Sequence, residues 1–155
     1  MAIRNTAKAL IVADGKILLN RCVTQKGEVY YDLPGGGQKQ FESMEEAVAR
    51  EVLEETGYHV RVVRCAALGE VIFDDPKVRE QSYEYSHRMF HIFAVELSDK
   101  AADKPAEMDF QQEGSVWMEL DEADRVEFRP ALLNGRIWEL IQSTAPVYLG
   151  CGREG

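Results

Sequence analysis

Residues 36–58 read GGQKQFESMEEAVAREVLEETGY, and the reading of this stretch decides the fold. Ser43-Met44-Glu45-Glu46 fits a capping box. The Ser43 hydroxyl accepts from the third backbone N–H, and the Glu46 carboxylate reaches back to the N–H of Ser43. Gly57 is placed to end the helix in a left-handed conformation. The spacing therefore predicts a helix over residues 43–56. At about 100° per residue, Val48, Ala49, Val52 and Leu53 share one apolar side. Glu51, Glu54 and Glu55 share a neighbouring side, through i, i+3 and i, i+4 spacing. Arg50 and Glu46 fall on the outer side and are expected to pair with each other.

Three carboxylates on one helix face repel each other, and partial burial raises that cost. A solvated acidic face would also give this pattern. Here, however, the acids border the apolar stripe instead of opposing it. Hard oxygen ligands clustered on a rigid element suit Mg²⁺ or Mn²⁺. The preceding Pro34-Gly35-Gly36-Gly37 reads as a loop whose bare backbone lets a ligand approach closely. A tight turn alone would explain the glycines. The glycines and the acidic helix together, at fixed distance, point to a ligand site.

Working outward, residues 8–13 (KALIVA) and 16–19 (KILL) read as strands joined by Asp14-Gly15, a strong two-residue hairpin signal. Residues 29–33 predict a short strand. Residues 60–73 predict another, with Gly69 as a break. Residues 74–82 read as a loop around Pro76, and residues 83–97 as a long strand. Residues 98–115 read as a long loop and 116–120 as a strand with Trp117. Residues 130–143 read as a second helix with Pro130 in its first turn, and 147–149 as a last strand. Strands outnumber separated helices, so a mixed sheet flanked by helices, an α/β architecture, is expected.

The chain has 155 residues, the size of one domain, and residues 1–155 are read as one. Its 45% hydrophobic and 29% charged content is ordinary for a globular protein. Without a run of about 20 apolar residues or a secretory leader, no membrane partner is expected and the cytoplasm is the expected location. Cys22, Cys65 and Cys151 are odd in number and widely spaced, which predicts ordinary reduced thiols. A net charge of −9 disfavours a grip on long nucleic acid but not a small phosphorylated ligand bridged by a cation.

Residues 36–58 resemble the Nudix box, G-x5-E-x7-R-E-U-x-E-E-x-G-U, where U is bulky and aliphatic. Gly36, Glu42, Arg50, Glu51, Val52, Glu54, Glu55 and Gly57 fall in register. Tyr58 stands where the family usually has Ile, Leu or Val, and Phe41 where many members carry Gly. The resemblance implies a Nudix-type α/β/α sandwich with a mixed β-sheet. It implies a metal-dependent hydrolase that cleaves the diphosphate linkage of a nucleoside diphosphate joined to another group. It also implies Mg²⁺ or Mn²⁺ as the cofactor and a homodimer. Glu54 and Glu55 would bind metal with the carbonyl of Gly36. Glu51 would bind metal or take the water's proton, Arg50 would orient the glutamates, and Glu42 would support the metal. Some members draw a base from a later loop, and Glu113 is the candidate for such an added ligand or base. Nucleoside triphosphates, nucleotide sugars, ADP-ribose and dinucleoside polyphosphates all remain open as substrates. A catalytically silent Nudix-like nucleotide sensor is the alternative, against which the intact glutamates argue.

A base needs stacking surfaces and a few polar contacts. Arg4, Arg21, Tyr83, Tyr85 and His87 are the candidates for substrate binding, with Phe73, Arg79, Arg88, Phe90 and His91 behind them. Strand alternation would put Tyr83, Tyr85, His87, Met89 and His91 on one face.

Overall fold

In a computed structural model, residues 3–98, 102 and 112–155 are described. Among them run the strands β1 (Arg4–Ala13), β2 (Lys16–Val23), β3 (Val29–Asp32), β4 (Gly35–Gly37), β5 (Val60–Phe73), β6 (His87–Leu97), β7 (Gln112–Glu119) and β8 (Val147–Glu154). The helices are α1 (Met44–Thr56), α2 (Pro76–Gln81), α3 (Leu120–Ala123) and α4 (Ile137–Gln142). The main sheet runs β3-β2-β1-β6-β5-β8, with β4 on β1 and β7 on β2. It is mixed: β1 with β6 and β5 with β8 are parallel, the other pairs antiparallel.

Alternation along β1 builds the layers. Ala7, Ala9 and Ile11 point to one face and pack with Ala47, Val48 and Val52 of α1. Leu10 points to the other and joins a second core with Phe128, Leu133, Ile137 and Leu140, which includes α4. A sheet between two helical layers is the α/β/α sandwich. Asp14 (φ 52) and Gly15 (φ 75) form the two-residue turn that joins β1 to β2. The helix α1 carries both expected caps. Ser43 accepts from the N–H of Glu46, the reciprocal bond is present, and Gly57 sits at φ 80.

Several expectations need correction. Gly35–Gly37 is a strand, not a free loop: Thr6, Lys8 and their neighbour Ala7 pair with it on β1. A side chain on Gly35 would strike the Ala7 carbonyl at 2.0 Å, so only glycine permits this pairing. Pro76 starts the short helix α2, capped by Asp75. Tyr83–Tyr85 is a 3-10 turn, and the strand begins only at His87. Of the loop expected over 98–115, residues 112–115 extend β7, and 99–101 and 103–111 lie outside the described residues. The last helix is split. Pro130 precedes a 3-10 turn, Gly135 takes φ 70, and α4 begins at Ile137. No helix among the described residues is long and apolar enough to cross a membrane.

Candidate active site

Two carboxylate networks grow from α1. The outer one centres on Arg50. Its Nε and Nη2 donate to the two oxygens of Glu42 at 2.6 and 2.9 Å, a bidentate pair. Nη1 donates to Glu51 at 2.9 Å and Glu54 at 3.3 Å, and Nη2 also reaches the Gly37 carbonyl at 3.0 Å. Arg50 thus pairs with Glu42, Glu51 and Glu54 and not with Glu46, which is spent on the cap. The Arg50 hydrogen bonds hold the Glu42 carboxyl down to about 2 and raise the guanidinium in return.

The inner network centres on Glu55, only 2% exposed. Its Oε2 accepts from Asn20 Nδ2 and from the N–H of Gly35, each at 2.9 Å. Ser115 Oγ donates to Asn20 Oδ1 at 3.1 Å and fixes the amide. Two donors on one oxygen set the direction of the carboxylate and tie α1 to β2 and β4. Asn20 escaped the sequence reading because a single amide in an apolar strand carries no spacing signal.

The donor set suits a hard divalent cation, being all carboxylate and carbonyl oxygen. Gly36 makes room for it. A Cβ there would meet the Glu51 carboxylate at 2.5–2.8 Å, so glycine is what lets Glu51 lie against the strand. Among the described residues, no three acidic, His or Cys side chains already converge as a ligand cage. Arg50 explains this, since it draws Glu42, Glu51 and Glu54 around its own charge.

Beside Glu51 and Gly36 opens a cleft of about 480 Å³. Its floor carries Arg4, Thr6 and Lys8 of β1, Asp32 of β3 and Arg88 of β6. Phe73, Val78 and Tyr85 form a wall. Lys8 is buried and donates to Asp32 at 2.9 Å. Arg4 stacks 4.5 Å from the Tyr85 ring centre. The Arg88 guanidinium stacks on Phe90 and Phe73, at 5.0 and 5.8 Å, and burial pushes its pKa down.

Of the substrate candidates, the structure brings Arg4 and Tyr85 into this cleft. Tyr83 is exposed in an adjoining groove with Gln38. Arg21 lies outside the cleft, ion-paired with Glu113. His87 also lies outside, 2.5 Å from Glu70. The shared face expected for Tyr83, Tyr85 and His87 does not form, because the two tyrosines sit in the 3-10 turn before β6. His87, Met89 and His91 share the parity of Phe93 and Val95, which pack under α1, while Arg88 faces the cleft. Arg79 is held by Phe73 O and Asp74. Thr6, Lys8 and Asp32 were missed. The signal for Lys8 was a charge inside an apolar run.

Comparison with known proteins decides the family: a NUDIX domain model matches residues 3–140. The chain belongs to the Nudix family. A Bacillus subtilis (strain 168) protein named "Putative 8-oxo-dGTP diphosphatase" is 39% identical over 61 residues. That alignment covers 39% of this chain and 38% of the relative, so it spans well under half of either. A Nudix hydrolase structure from Nitrosomonas europaea superposes with a TM-score of 0.69 at 17% identity, covering 99% of this chain and 81% of that one. An ADP-ribose pyrophosphatase from Streptococcus suis 89-1591 gives 0.62 at 20% identity, covering 95% and 99%. At such identities these likenesses establish the Nudix fold.

Proposed function

We propose that this Nudix protein is a pyrophosphohydrolase that uses Mg²⁺ or Mn²⁺ to cleave a nucleoside diphosphate linked to another group. The observation that carries this reading is the placement of Glu51. Its carboxylate lies at the junction of the Arg50-centred acids and a cleft floored by Arg4, Lys8 and Arg88. Acids gather on one side and cations on the other, which suits a polyanion whose reactive phosphorus lies at the boundary.

Glu51, Glu54 and Glu55, with the Gly36 carbonyl, are the groups that would hold the cation, and Glu42 would support them. A divalent cation held there would supply positive charge against phosphate oxygens and would make a nearby water more acidic. Arg50 positions Glu51 and Glu54 through its hydrogen bonds. Glu51 accepts the proton of the attacking water. The water oxygen bonds to phosphorus, the anhydride P–O bond breaks, and its electron pair leaves with the other phosphate. Arg4 and Lys8 offset the charge of the substrate along the cleft. Glu113, paired with Arg21 on the exposed sheet edge, contributes no catalytic group in this reading.

The test is product release from a panel of nucleoside triphosphates, nucleotide sugars, ADP-ribose and dinucleoside polyphosphates with Mg²⁺. Cleavage at the diphosphate of at least one class is expected. A panel left intact would sink the hydrolase and favour a sensor.

A further inference from the structure

Arg4 stands between two concavities. On one side is the cleft beside Glu51 and Gly36. On the other is a groove of about 390 Å³ formed with Asn5, Gln38, Lys39, Gln40, Tyr83 and Glu84. The Arg4 guanidinium stacks 4.5 Å from the Tyr85 ring centre and lies against Gly37, where a Cβ would strike it. Among the described residues, no carboxylate comes within ion-pair distance of it. A fixed cation at this junction, close to Glu51, suits a diphosphate. One substituent of that diphosphate then enters the cleft, and the other leaves toward the groove.

The groove wall is held in advance. The Gln38 N–H donates to the Asn5 carbonyl at 3.0 Å and carries the β1–β4 pairing one residue further. Gln38 Nε2 donates to the Glu42 carbonyl at 2.6 Å, and the Lys39 N–H donates to the Glu42 carboxylate at 3.0 Å. Glu42 in turn is gripped by Arg50. The groove therefore keeps a fixed distance from the α1 acids.

Its chemistry restricts what fills it. A third phosphate would meet one cation beyond Arg4, Lys39, and would also meet the Glu84 carboxylate. A second nucleoside would bring a base, and the groove offers little apolar surface besides Ile3 and the Tyr83 ring. A sugar suits the lining. Its hydroxyls both donate and accept, and the Gln40 amide, the Lys39 ammonium and the Glu84 carboxylate together offer both kinds of partner. Its C–H face suits the apolar body of the exposed Tyr83 ring.

We infer that this groove takes the sugar of a nucleoside diphosphate sugar, which makes that class the preferred substrate over nucleoside triphosphates. Tyr83 and Gln40 contact the sugar, and Arg4 holds the diphosphate between the two concavities. The inference rests on the reading that the cleft cleaves a nucleoside diphosphate linked to another group.

The test compares pairs that share a nucleoside: ADP-ribose with ATP, UDP-glucose with UTP, and GDP-mannose with GTP, each with the full chain and Mg²⁺. In at least one pair, kcat/KM is expected to be about tenfold or more higher for the sugar. Tyr83→Ala should cut that preference by about fivefold or more, chiefly through KM, while Tyr83→Phe keeps most of it. Glu84→Lys adds a second cation to the groove and should move the preference toward the triphosphate. Both positions are exposed, so the melting temperatures should stay near that of the wild type. A preference for the triphosphate in every pair would overturn the inference. So would a sugar preference that Tyr83→Ala and Glu84→Lys leave intact. Calorimetric binding in excess chelator separates the two readings. There a nucleoside diphosphate sugar should bind tighter than the same nucleoside diphosphate, and Tyr83→Ala should remove the margin. That margin without hydrolysis of any probe defeats only the hydrolase. Hydrolysis without sugar preference defeats only the sugar groove, and neither margin nor hydrolysis defeats both.

Discussion

Glu54 and Glu55 are neighbours in sequence and opposites in environment. Glu54 shares Arg50 with Glu42 and Glu51 at a partly exposed surface. Glu55 is sealed between α1 and the sheet, with Asn20 and the Gly35 N–H on one oxygen. The outer group is held by a charge that a metal cation can replace. The inner group is held by neutral donors that belong to the fold. The row of like acids therefore divides into a part held by an exchangeable charge and one, Glu55, whose Oε2 the fold fixes in advance, and the two should respond differently to mutation, metal and pH.

The largest contrast is expected in turnover. Glu51→Gln and Glu54→Gln keep an acceptor for Arg50, so the fold should survive. Turnover should fall by about 100-fold or more, through loss of metal affinity and of the proton acceptor. Steady-state assays beside melting curves would check this, and near-normal turnover in Glu54→Gln would remove that residue from the site.

Next in size is Arg50→Met. It leaves three partly buried carboxylates facing one another and should cost about 2–4 kcal/mol in chelator. Because a divalent cation can replace the lost charge, Mg²⁺ should restore part of it. Glu55→Ala strips the acceptor from Asn20 and the Gly35 N–H and should cost about 2–3 kcal/mol. Here Mg²⁺ should restore little. Urea titrations with and without metal distinguish the two, and an equal metal response in both variants would erase the comparison.

The pH response sharpens the outer side. The Glu42 carboxyl is lowered in the fold to about 2 by Arg50. Its stabilising contribution is complete above the unfolded value of about 4.3 and is lost as pH falls through the folded one. In metal-free buffer, the wild type should lose stability between those values more steeply than Glu42→Gln. Parallel curves from acid unfolding would contradict the Arg50–Glu42 pair.

Much of α1 was legible because its instructions are local. The Ser43 and Gly57 caps, the apolar stripe and the acid spacing all act within a few residues. The Asp14-Gly15 turn was legible for the same reason. The pairing of Gly35–Gly37 with β1 was not, since glycine signals a loop and only a distant partner makes it a strand. The cleft floor was hidden likewise. Thr6 and Lys8 on β1, Asp32 on β3 and Arg88 on β6 come from three separate strands and meet only through the β1–β6 register and the approach of β3. Residues 74–86 were misread because Pro76 marks a break in sequence but a first turn in the structure.

The smallest predicted effect concerns Phe41, which holds φ 67 and is 97% exposed beside Glu42. A bulky residue is strained there and gains nothing from packing. Phe41→Gly should stabilise the loop by about 0.5–1 kcal/mol, read in urea unfolding, and leave the Arg50 network in place. A loss of stability would show that the ring has a contact that its exposure hides.

The central claim is that the α1 carboxylates work through a divalent cation at the edge of the cleft. The most direct test is turnover of a cleaved nucleotide in excess chelator, followed by stepwise addition of Mg²⁺ or Mn²⁺. The account predicts no activity in chelator, recovery with either cation, and a several-fold higher metal concentration for half-maximal recovery in Glu51→Gln and Glu54→Gln. Full turnover in excess chelator would contradict it.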